Sequence, residues 1–234
     1  SVCFLSCNQP RLEYTISAKL NPHNIAPLTA ELKINTNMVA QVSKVSYTVL
    51  GKSPIKQSFE MLNDSLSIPI VGLYPGTTNK VLIELYSKNG IITDTVKLKT
   101  KPLPIIFPKI EINKIDRSKM EQGLHGCDIH FANFGKFRSM PIIFDDQGIV
   151  RWFMDFSFTN EMTSPFQRLK DGNILVVTRH DIYEFNMLVK IIKKTSIDDN
   201  YGMHHDAVEL PNCQLLICVG KRDAYLDLGG EAIQ

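Results

Sequence analysis

The stretch Leu169-Lys170-Asp171-Gly172-Asn173-Ile174-Leu175 returns as Leu210-Pro211-Asn212-Cys213-Gln214-Leu215-Leu216, an offset of 41 residues. Phe144-Asp145-Asp146-Gln147-Gly148-Ile149-Val150 returns at the same offset as Phe185-Asn186-Met187-Leu188-Val189. Each unit reads as strand, Asp/Asn-Gly-type turn, strand, aromatic strand, turn, strand. A period of about 40 with four strands per unit is the pattern of a β-propeller blade. Tetratricopeptide and ankyrin arrays have a shorter period and helical patterning instead. A propeller closes with at least about four blades, usually six to eight. Residues 104–234 have room for about three, so an incomplete arc is expected, and the pattern is expected to continue beyond Gly229-Gly230-Glu231-Ala232-Ile233-Gln234.

Ahead of the repeat, the chain from Arg11 to Lys101 alternates strand after strand. Leu12–Ala18, Ala30–Thr36, Val42–Val49, Gln57–Met61 and Leu66–Ile70 come first. Lys80–Tyr86 and Ile92–Leu98 then flank Lys88-Asn89-Gly90, a strong hairpin signal. Such a run without a helical period predicts an antiparallel β-sandwich over 9–103. Lys101-Pro102-Leu103-Pro104 with Pro108 is a stiff connector and marks the boundary to the partial propeller, 104–234. The fold expected is therefore all-β, a sandwich followed by the first propeller blades. His23, beside Pro22, reads as a surface loop residue. The segment around His125 and His130 with Gly123 and Gly126 could line a site, but an inter-domain loop is the simpler reading.

The 44% hydrophobic and 21% charged content supports real cores, and a net charge of +2 argues against nucleic acid as a partner. No apolar run reaches membrane-spanning length. The five cysteines form no CxxC pair and no zinc spacing, so no metal and no cofactor is expected. Residues 1–8 read as the remnant of an export signal. Leu5-Ser6-Cys7 followed by polar residues resembles a bacterial lipoprotein cleavage box, with Cys7 the residue to be lipidated. Periplasmic or cell-surface location, with a lipid anchor to the membrane, is the corresponding expectation. The sequence leaves a homodimer open.

The candidate catalytic residues are His204 and His205, followed by Asp206, after a loop ending at Gly202. Neighbours on a strand point to opposite faces, so one imidazole is expected to face the site and the other to buttress it. Imidazole titrates near neutral pH and can carry a transferred group, which suits a nucleophile or a general base. The plainer reading is two partly exposed strand histidines bonded to backbone groups.

With both halves in view, the chain resembles the bacterial arylsulfate sulfotransferase family. The resemblance rests on Asn21-Pro22-His23-Asn24-Ile25-Ala26-Pro27-Leu28-Thr29-Ala30, on Ile68-Pro69-Ile70-Val71-Gly72-Leu73-Tyr74-Pro75 with Asn79, and on Gly148-Ile149-Val150-Arg151-Trp152. Gln167-Arg168-Leu169 with Asp171-Gly172-Asn173, and His204-His205-Asp206 ahead of Leu210-Pro211-Asn212, complete it. It implies a small sandwich followed by a six-bladed propeller with its active site in the central channel. It also implies transfer of a sulfuryl group from a phenolic sulfate donor to a phenol acceptor, without a nucleotide sulfate, through a sulfated histidine. The His204-His205-Asp206 triplet matches the segment that supplies one channel histidine; the others and an arginine belong to later blades. Cys213 stands where the family's turn has glycine. Arg179, His180 and Arg222 are candidate channel neighbours, with strand-end surface roles the simpler expectation. The alternatives are a non-catalytic cell-surface propeller that binds or adheres, and a hydrolase using water as acceptor.

Overall fold

The computed structural model describes residues 12–37, 42–121, 123–134, 137–156, 161–163, 166–224, 226–227 and 232–233. Cys7 and the expected export segment 1–8 lie outside the described residues. Every regular element among the described residues is a β-strand.

The first seven strands are β1 (Tyr14–Leu20), β2 (Ala30–Thr36), β3 (Val42–Val49), β4 (Ile55–Glu60), β5 (Ser65–Ile70), β6 (Thr78–Ser87) and β7 (Gly90–Lys99). They form two antiparallel sheets, ordered β1-β2-β5 and β4-β3-β6-β7. Alternation decides which way each strand faces. β2 buries Ala30, Leu32 and Ile34, and β6 buries Val81, Ile83 and Leu85, while the residues between are more exposed. These inward rows, with Val45, Tyr47 and Val49 of β3, meet in one core. The buried Asn79 side chain accepts from the Tyr74 N–H at 2.7 Å and donates to the Tyr74 carbonyl at 3.0 Å. It thereby shapes the loop at Leu73-Tyr74-Pro75. Gly72, at φ 84°, has no room for a Cβ because Ile55 fills that space.

The later strands form a succession of sheets. β8 (His125–Phe134), β9 (Phe137–Phe144) and β10 (Val150–Phe153) make the first, ordered β10-β9-β8. β11 (Phe166–Arg168), β12 (Ile174–Val177), β13 (Asp181–Phe185) and β14 (Ile191–Ser196) make a four-stranded sheet in chain order. β15 (Tyr201–Glu209) pairs with β16 (Leu215–Lys221), and β17 (Leu226–Asp227) with β18 (Ala232–Ile233). The run Ile174-Leu175-Val176-Val177 is buried throughout because both faces of β12 are covered. Ile174 and Val176 pack with Trp152, Met154 and Phe156 on one side; Leu175 and Val177 pack with Met203 and Ala207 on the other.

The 41-residue repeat is visible in the turns. Gly172 and Cys213 donate backbone N–H bonds to Leu169 and Leu210, both at 3.0 Å, and both residues are left-handed, at φ 89° and 63°. Gly148 and Val189 do the same toward Asp145 and Asn186, at φ 72° and 61°. Asp145 Oδ1 accepts from the Ile149 N–H at 3.1 Å, and Asn186 Oδ1 accepts from the Lys190 N–H at 3.0 Å. The turn around Cys213 thus keeps the glycine geometry without the glycine.

Arg151 ties the two halves together. A register shift in β10 between Val150 and Trp152 leaves Arg151 as an extra residue, and such a bulge re-aims a side chain. Its fully buried guanidinium pairs with Asp145 at 2.9 Å. It also donates to the Gly72 carbonyl at 2.7 Å and the Ser53 carbonyl at 2.8 Å, and lies 3.7 Å from the Tyr74 ring centroid. Asp155 N–H donates to Ile25 O at 2.8 Å as a further link.

Candidate active site

β15 departs from regular alternation where its histidines lie. Met203 pairs with Val219 and Ala207 with Ile217, so His204, His205 and Asp206 together face Cys218. This is a β-bulge, and His205 takes a left-handed φ of 65° within it. The expectation that the two imidazoles point to opposite faces is corrected by this bulge. Both rings line one cleft and meet edge to face, with centroids 4.7 Å apart and planes at 84°.

The cleft has a volume of about 930 Å³ and opens where several strands end together. Val177, Thr178 and Arg179 come from the end of β12; Gly220, Lys221 and Arg222 come from the end of β16. Backbone bonds fix these ends: Met203 N–H to Arg179 O at 2.8 Å, and Arg222 N–H to Asn200 O at 2.8 Å. Gly220 leaves space for His204, since a Cβ there would stand 3.3 Å from Nε2. Cys218 Sγ lies 3.8 Å from His204 Nδ1.

Arg179, Lys221 and Arg222 bring three permanent cations to the wall that holds the histidine pair, with Glu161 also on the lining. The lining can attract an anion, and the exposed Met162 side chain adds an apolar part to it. Arg179 and Arg222 sit at strand ends and are exposed, yet they line the cleft; His180 does not. The Nδ1 atom of His180 is buried and has no hydrogen-bond partner among the described residues. His23 lines a separate cleft of about 450 Å³ with Arg168 and Asp171. Among the described residues no group of three or more His, Cys, Asp or Glu is arranged to hold a metal ion.

His130 belongs to the glycine-and-histidine segment that could line a site but reads more simply as an inter-domain loop. The segment that reads as a loop is strand β8, paired with β9 from His125↔Phe144 to His130↔Ser139. His125 packs on Phe144, and His130 lines the histidine cleft. Lys221 was missed, although its neighbour Arg222 was singled out. A strand ending in Lys-Arg beside a repeat unit was the only signal available.

The family described as Arylsulfotransferase (ASST) matches residues 109–232, more than half of the chain. The chain belongs to the arylsulfotransferase family. Residues 17–101 match the arylsulfotransferase Ig-like domain, in agreement with the two facing sheets of β1–β7. Two curated relatives are arylsulfate sulfotransferases. That of Escherichia coli O6:H1 is 22% identical over 261 aligned positions, covering 90% of this chain and 44% of its own length. That of Lelliottia amnigena is 22% identical over 256 positions, covering 87% and 42%. The chain thus spans less than half the length of these relatives.

Proposed function

We propose that this chain is the N-terminal part of an enzyme that moves a sulfuryl group from a phenolic sulfate ester to a phenol, without a nucleotide donor, through a sulfated histidine. The observation that carries the reading is the cleft itself: two touching imidazoles beside Arg179, Lys221 and Arg222. An imidazole nitrogen attacks sulfur, the S–O bond to the phenolate breaks, and the N–S bond forms; the acceptor oxygen then reverses the exchange. Negative charge grows on the leaving oxygen and is spread over the sulfuryl oxygens, where the three cations and the second imidazole offset it. His204 and His205 are assigned catalytic roles on this basis.

In this reading 9–103 is the sandwich domain and 104–234 begins a six-bladed propeller whose channel contains the cleft. Export with lipid on Cys7, giving a periplasmic or cell-surface enzyme, belongs to the same proposal. The test uses 4-nitrophenyl sulfate as donor and phenol as acceptor. The full-length protein is expected to form phenyl sulfate, and the 234-residue chain alone to be inactive, because the relatives are more than twice as long. Turnover by the chain alone would overturn the idea of an incomplete site. Failure of the full-length protein to transfer would favour a binding module, and phenol-independent sulfate release would favour hydrolysis.

A further inference from the structure

His130 reaches the cleft from β8, a different sheet from that of the β15 pair. Its Nε2 lies 3.1 Å from the Thr163 carbonyl. A carbonyl oxygen only accepts, so Nε2 carries the proton and, in the neutral ring, Nδ1 holds a free lone pair. This orientation is supported more heavily than a surface histidine requires. Thr163 is fully buried; its N–H donates to Ser139 Oγ at 2.6 Å, and its hydroxyl donates to Asp128 Oδ1 at 3.1 Å. The Ser139 hydroxyl in turn lies 2.6 Å from Thr163 Oγ1. Three segments therefore converge to hold one carbonyl, and that carbonyl holds His130. Asp128, on the same strand, interacts electrostatically with His130. The histidine pair and its three cations bind and carry an anionic group, but an incoming phenol must also lose a proton.

We propose that His130 is the catalytic base for the acceptor, removing the proton of the phenol hydroxyl while Thr163 and Asp128 act as positioning residues. The step rests on the sulfuryl-transfer reading above. The acceptor O–H bond breaks toward His130 Nδ1, the phenol oxygen bonds to sulfur, and the S–N bond breaks with its electron pair returning to the histidine that carried the group. His130, now protonated, releases the proton to solvent, since the side chain is exposed.

His130→Gln in the full-length protein tests this, because the amide can still donate to Thr163 while the basic nitrogen is gone. Stopped-flow with 4-nitrophenyl sulfate alone reads sulfation of the enzyme as a burst of 4-nitrophenolate, a leaving group that needs no proton. Addition of phenol then reads transfer. The burst is expected to keep its rate, while transfer to phenol falls by about a hundredfold, the low end for loss of a positioned base. The deficit is expected to vanish with acceptors already ionised at the assay pH. Unchanged transfer to phenol, or an equal deficit for ionised acceptors, would overturn the role of His130. A burst and transfer that fall together would reassign His130 to shaping the cleft. Absence of a burst in the unaltered protein would instead defeat the underlying sulfuryl-transfer reading.

Discussion

Replacing Arg151 by methionine removes a cation buried between the two halves, the one buried cation among the described residues, while keeping most of its volume. The structure sets the size of the loss. Asp145 Oδ2 is left without its partner, although Oδ1 still accepts from the Gln147 and Ile149 N–H groups. The Gly72 carbonyl loses both guanidinium donors, whereas the Ser53 carbonyl keeps the Tyr74 hydroxyl at 3.2 Å. The cation against the Tyr74 ring is lost as well. Breaking a buried ion pair from one side costs about 3–5 kcal/mol, because the remaining charge stays desolvated. About 4 kcal/mol is close to a thousandfold change in the folding equilibrium. Trp152, the single tryptophan, sits next to Arg151, and its indole N–H bonds to Met187 O at 3.0 Å. Its fluorescence during urea unfolding of the chain therefore reports directly on this contact. The double variant Arg151→Met with Asp145→Asn should recover a large part of the loss, since no unpaired charge remains. A loss below about 1 kcal/mol in the single variant, or an equal loss in the double, would refute the argument that an uncompensated carboxylate sets the magnitude.

Further outcomes follow from the same geometry. Changing both His204 and His205 to alanine in the full-length protein is expected to lower sulfuryl transfer by at least about a hundredfold; near-normal rates would make the pair structural. Gly220→Ala is expected to displace the His204 ring by a few tenths of an ångström and reduce transfer without changing the unfolding midpoint; an unaltered rate would contradict that packing. Cys213→Gly is expected to stabilise the chain by up to about 1 kcal/mol, because a left-handed φ of 63° strains an L residue; destabilisation in urea would show the turn is otherwise held. Burial pushes the Asp128 carboxyl up to about 6, only partly offset by the Thr163 hydrogen bond and by His130. A carboxyl raised above its unfolded value of about 3.9 contributes stability that is full below that value and is lost as pH rises through about 6. Asp128→Asn should flatten this part of the pH profile, a difference on the order of 2 kcal/mol between pH 4 and 8; an unchanged slope would refute it.

The strands of the first half were readable because each has one wet face and one dry face, so period-2 alternation survives in the sequence of β2, β3 and β6. β12 was readable for another reason: with both faces covered it becomes a short apolar run, and its position was fixed by the Asp171-Gly172 turn that repeats at Asn212-Cys213. β8 escaped notice. Its glycines and histidines imitate a loop, and the residues it faces, Ser139 and Thr163, come from other segments of the chain. The cationic wall was half legible. Arg179 and Arg222 stood out as charges near turns, yet nothing local says that the ends of β12 and β16 open into one cleft.

The least legible features share a cause. Sequence periodicity assumes an unbroken ladder, and the most consequential side chains of the second half sit at two places where the ladder breaks. At Arg151 a one-residue bulge turns a buried run, Val150-Arg151-Trp152-Phe153, so that Val150 and Phe153 join the core of β1–β7 while Trp152 joins the next core. The arginine left over is driven between them, which is only tolerable because Asp145, Gly72 and Ser53 receive its donors. At His204-His205-Asp206 a larger bulge cancels the alternation that would have separated the imidazoles. A regular β15 would present one ring to the cleft and bury or expose the other elsewhere; the bulged strand presents both, 4.7 Å apart. Two adjacent imidazoles can divide the work of one site, one bonding to sulfur while the other answers the charge that develops. The strained backbone at His205 is thus tied to the chemistry proposed here, and the mismatch with the sequence pattern falls in the candidate site.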